Sequence, residues 1–104
     1  MVSPKYLWLF APLALFLATS AFAAGDAAKG KQVFMANCMA CHNIDPAKDG
    51  AIGPAVKGSS AALLEKRLLA GAYPAGYTPK RDTKMMPPMP HLKGSIADLV
   101  AFLK

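Results

Sequence analysis

The chemistry of this chain centres on Cys38-Met39-Ala40-Cys41-His42, two cysteines three positions apart with a histidine directly after the second. At the end of a helical turn, each thiol at that spacing can add to one vinyl group of a single porphyrin while the next residue points an imidazole at the iron. C-x-x-C-H is accordingly the form associated with covalent haem attachment. A dithiol redox centre needs both cysteines but not the histidine. A tetrahedral zinc site needs four ligands where three are local. A disulfide, or a pair of buried thiols, is the bland reading, and it leaves His42 without a role. These are the chain's two cysteines.

Iron held by His42 needs a ligand on its opposite side. Four soft or imidazole donors cluster late in the chain: Met85, Met86, Met89 and His91.

The segment before the motif bears on which compartment these cysteines meet. Lys5 gives a short positive start, Tyr6 to Thr19 is almost wholly apolar, and Ala21-Phe22-Ala23 is a small-x-small cleavage site. Residues 1–23 therefore read as a secretory signal, with a retained membrane anchor as the alternative, since an apolar run of about 18 residues can span a bilayer. Pro12 and the alanine-rich exit favour cleavage, leaving one domain over residues 24–104 in a periplasmic, exported setting. A domain of that size buries only about 60–65% of its unfolded surface and gains much from a buried cofactor.

The formal charge is +6 at pH 7, with Lys5 lost if the signal leaves. The excess suits acidic redox partners, or serves ordinary solubility. It is spread from Lys29 to Lys104 with no interleaved aromatics, which speaks against nucleic-acid binding. Membrane association is expected only if the first segment is retained.

Three helices are predicted to position the motif. The first starts at the N-cap Asp26 and runs to about Cys38, with Ala27, Gly30 and Phe34 roughly on one face. Gly30 costs about 1 kcal/mol there relative to Ala, so a close packing contact is expected. The second spans Ser60 to Ala70, with Leu63, Leu64 and Leu68 inward and Gly71 as its stop. The third starts at Ser95, an N-cap paired with Asp98, and buries Ile96, Leu99, Val100, Phe102 and Leu103. No convincing strand period appears. Two long irregular stretches, 43–59 and 72–94, need something to organise them, and a flat buried cofactor would do so.

Four ordered elements carry a family resemblance over Gly25 to Lys104. They are Gly25-Asp26-Ala27-Ala28-Lys29-Gly30-Lys31-Gln32-Val33-Phe34 leading into the haem motif, Gly53-Pro54-Ala55-Val56-Lys57-Gly58, Met86-Pro87-Pro88, and Leu99-Val100-Ala101-Phe102-Leu103. In these the chain resembles the small monohaem class I cytochromes c. The resemblance implies an all-α small cytochrome c fold, with three or more helices and long loops wrapped around one covalently attached haem. It implies a monomer that carries electrons and is not an enzyme. Gly30 and Phe34 would pack on Leu99 and Phe102 where the first and last helices cross. The Pro54 carbonyl would accept the free ring N–H of His42, fixing the tautomer and raising ligand basicity.

In that family a Met followed by Pro supplies the distal ligand, which Met86-Pro87 and Met89-Pro90 both satisfy and Met85 does not. Met86 lies sixteen positions before Phe102 and Met89 thirteen. The longer spacing resembles the short bacterial members, so Met86 is the expected ligand and Met89 the runner-up. His91 reads as a surface histidine. Tyr73 and Tyr77 are candidates for a haem propionate, and Lys80 and Arg81 for a propionate or a partner. Two other functions compete: a haem sensor or peroxidase-like protein with a displaceable Met, and a Cu(I) protein using Cys38, Cys41, Met85, Met86, Met89 and His91. The copper reading leaves Gly30 and Pro54 unexplained.

Overall fold

Asp26 starts the first helix as expected: its Oδ1 accepts the backbone N–H groups of Ala28 at 2.9 Å and Lys29 at 3.2 Å, satisfying two of the donors a helix start leaves free. The computed structural model describes residues 24–104; the signal expected at 1–23 lies outside the described residues. Helix α1 spans Ala27–Asn37, α2 Ala61–Glu65 and α3 Ile96–Leu103, with no strand among the described residues. The fold class is all-α, with long loops between the helices.

Helices α1 and α3 cross at Gly30. A Cβ there would collide with the Asp98 carbonyl oxygen and lie 3.0 Å from Cβ of Phe102. The bare backbone lets Phe34 meet Phe102, with ring centroids 5.4 Å apart and planes tilted by 54°, a favourable aromatic geometry. Phe34, Leu68, Leu92, Ile96, Leu99 and Leu103 form the buried core.

Two details differ from the sequence expectation. The second helix is α-helical only to Glu65 and continues as a π-helical turn over Lys66–Ala70, closed by Gly71 at φ 64°. In an α-helix the Ala72 N–H would bond the Leu68 carbonyl; here it reaches Lys66 O at 3.0 Å, and the Met89 N–H takes Leu68 O at 2.7 Å instead. The wide turn thus ties the methionine loop to the end of α2, in keeping with π-turns at functional sites.

Ser95 makes no side-chain cap, contrary to the expected pairing with Asp98. A 3₁₀ turn over Pro90–Ser95 runs straight into α3, and the Ile96 N–H bonds Lys93 O. Asp98 Oδ1 is used elsewhere, accepting the backbone N–H of Asp26 at 2.7 Å.

Ordinarily Gly→Ala within a helix gains about 1 kcal/mol. At Gly30 the added methyl overpacks the crossing, so Gly30→Ala is expected to lose about 1–3 kcal/mol, read as a lower denaturation midpoint of the holoprotein.

Candidate functional site

Cys38 closes α1, its N–H on Phe34 O at 2.8 Å. The chain then folds back so that the N–H groups of Cys41 and His42 both reach Cys38 O, at 3.2 and 2.9 Å. This turn brings Cys38, Cys41 and His42 to the wall of one cavity of about 250 Å³. Both thiols are free and half-buried. Burial, and secondarily the neighbouring Cys41, pushes the Cys38 thiol up to about 11.

The His42 ring is fixed by its far side. Its Nδ1 lies 2.9 Å from the Pro54 carbonyl; a carbonyl can only accept, so Nδ1 carries the proton and the lone pair of the neutral ring is at Nε2. The loop that supplies Pro54 is itself held by the motif, since Cys41 O accepts the N–H groups of Ile52 at 3.2 Å and Gly53 at 2.9 Å. Gly53 is buried flat against the imidazole: a Cβ there would sit 2.6 Å from Nδ1 and 2.9 Å from Nε2.

Met86 is half-buried and packs on the core. Together with His42 it lines both the main cavity and a smaller one of about 40 Å³ beneath it. Met89 lines the main cavity alone, with its N–H committed to Leu68. Met85 is 65% exposed, and His91 is exposed. The side walls come from Val56, Leu63, Leu64, Tyr73 and Tyr77. Tyr73 and Tyr77 stack with centroids 5.4 Å apart, and the Arg67 guanidinium lies 4.2 Å above Tyr73 while Nη1 donates to Gly71 O at 2.9 Å.

Lys80 and Arg81 are engaged within the chain. Lys80 Nζ donates to Ala55 O at 2.9 Å, and Arg81 pairs with Asp49 at 3.2 Å, which joins loop 72–94 to loop 43–59. Asp49 and the wall role of Arg67 were not legible in the sequence. Each looks like any surface charge until the loops close. Among the described residues no group of three or more His, Cys, Asp or Glu could hold a metal ion by itself, and no helix is long and apolar enough to cross a membrane.

A family model described as Cytochrome c matches residues 27–104. The chain belongs to the cytochrome c family. It is similar to a Cytochrome c-553-like protein of Synechocystis sp. (strain ATCC 27184 / PCC 6803 / Kazusa), 35% identical over 83 residues that cover 77% of this chain and 69% of that protein. No solved structure matches it significantly. As a cytochrome c it is a haem-based electron carrier, not an enzyme, with haem c as its cofactor. The residues lining the cavity fit that group: two free thiols, an imidazole with its lone pair at Nε2, thioethers and apolar side chains.

Gly53→Ala is expected to turn the His42 ring off Pro54 and reduce the yield of low-spin holoprotein, measured by its visible spectrum. Asp49 gives a pH signature. Its carboxyl is held below the usual range, first by the Ala55 N–H and then by Arg81. Its stabilising effect is present above about pH 4 and is lost as pH falls through the lowered value. Asp49→Asn should therefore be less stable than wild type at pH 7, with the gap closing in acid, as read by denaturant midpoints across pH.

Proposed function

We propose that this cytochrome c is an exported carrier of single electrons between redox proteins. Haem c would be joined through Cys38 and Cys41, and His42 and Met86 would hold its iron. The observation that carries this reading is the His42 ring pinned by Pro54 O at 2.9 Å, with Met86 on the walls of both cavities that His42 lines.

Bound haem supplies a one-electron Fe(III)/Fe(II) couple, and a histidine–methionine pair raises its potential. The chain does the rest. Pro54 holds the imidazole in one orientation and makes it a better donor. The Leu68–Met89 hydrogen bond anchors the loop that bears Met86. Val56, Leu63 and Leu64 keep the surroundings apolar. With His42 and Met86 both holding the iron, no coordination site would remain open for a substrate. Transient partners would dock near the cysteines, and the lysine excess would steer an acidic one. Residues 1–23 serve as a secretory signal, cut after Ala23, delivering the domain 24–104 to the periplasm as a monomer.

A visible spectrum and a haem stain of the denatured, exported protein test the covalent group, and an intact mass beginning at Ala24 tests the signal. Met86→Ala should bind CO in the reduced state and lower the potential, whereas Met89→Ala should do neither. A reversed result assigns the ligand to Met89, and ready CO binding by the wild type favours the sensor reading. Electron-transfer rates with an acidic partner should fall steeply with ionic strength.

A further inference from the structure

One peptide unit, Pro54–Ala55, is engaged at both ends. Its carbonyl accepts the His42 ring N–H at 2.9 Å. Its N–H donates to Asp49 Oδ1 at 2.8 Å. The other oxygen of that carboxylate, Oδ2, lies 3.2 Å from Nη2 of Arg81. The imidazole thus donates to the peptide and the peptide to the carboxylate, a directed run of two hydrogen bonds, while the guanidinium donates into the same carboxylate from its other side.

A peptide whose N–H donates to a carboxylate becomes a stronger acceptor at its carbonyl, because the same amide resonance carries the polarisation across it. Such chains strengthen each member by roughly 10–30% per bond. A stronger bond at Nδ1 gives the imidazole more anionic character and makes Nε2 a better donor. We propose that Asp49 is a positioning residue for His42, acting through the Pro54–Ala55 peptide to raise the imidazole's basicity and lower the reduction potential. This rests on His42 as the axial ligand.

Asp49 is 62% exposed, so solvent screens its bare charge and its influence on the ring runs through the directed hydrogen bond. Its carboxyl is held below the usual range first by the Ala55 N–H and then by Arg81, in keeping with the contact at 2.8 Å. Arg81 orients the carboxylate and draws some of its charge away from the peptide. Lys80 Nζ, on Ala55 O at 2.9 Å, holds the following peptide in place.

The test uses the holoprotein in its reduced, diamagnetic state. Two quantities are read: the hydrogen-exchange rate of the His42 ring N–H by NMR, and the reduction potential. In Asp49→Asn the exchange should quicken several-fold and the potential should rise, by more than in the control Asp45→Asn. Asp45 has its Oδ1 on the Ala47 N–H at 3.0 Å, outside this run of hydrogen bonds. Asp49→Glu should restore much of both. Arg81→Gln, which frees the carboxylate without removing it, should leave exchange no faster.

Unchanged exchange in Asp49→Asn would overturn the proposal. So would Arg81→Gln reproducing the effect, which would make the loop-to-loop ion pair the cause, or Asp45→Asn shifting the potential as far as Asp49→Asn. A wild-type spectrum that is not low-spin and six-coordinate would remove the axial-ligand reading itself, and this inference with it. A normal spectrum alongside unchanged exchange removes this inference alone.

Discussion

The hydrogen bond from His42 to the Pro54 carbonyl is the constraint on which the site depends. An imidazole on a turn can rotate about two side-chain bonds; one acceptor at 2.9 Å, with a glycine pressed against the ring face, leaves it one orientation. That bond requires the loop 43–59 to return to the motif, and the Cys41 carbonyl makes it do so by accepting two N–H groups from Ile52 and Gly53. The motif therefore builds the loop that orients its own histidine. The loop carries function because the motif beneath it is rigid.

The rigidity beneath comes from the crossing of α1 and α3. Gly30 allows the backbones to approach, Phe34 and Phe102 fill the space beside them, and the Asp26 N–H bonded to Asp98 ties the chain's described start to its last helix. Cys38, at the end of α1, inherits that fixed position. The opposite wall of the cavity is held by fewer restraints: the Leu68–Met89 hydrogen bond, the packing of Met86 on the core, and the contacts of Lys80 and Arg81 across the cleft. Those two cations lie on exposed side chains, where ion pairs contribute little to stability. Their effect is geometric, keeping two long loops together at the mouth of the cavity.

The sequence by itself determined the all-α class, the start of α1 at Asp26, the close approach at Gly30 and the covalent motif. Each is written in local residue types or short spacings: a capping aspartate, a glycine on a helix face, two thiols three apart. The second helix was legible as a helix but not as one that widens after Glu65, because a π-turn is selected by what its freed carbonyl must bind, and Met89 lies far along the chain. The Ser95–Asp98 cap was misread for the same reason: a tertiary donor, the Asp26 N–H, took the carboxylate that local spacing had assigned to the helix start. Only the tertiary structure sets the exposed Met85 apart from the half-buried Met86 and Met89 and places Met86 alone of the three on the smaller cavity that His42 also lines. It alone brought Asp49 to the peptide behind His42, since contacts between irregular loops leave no periodic trace in sequence.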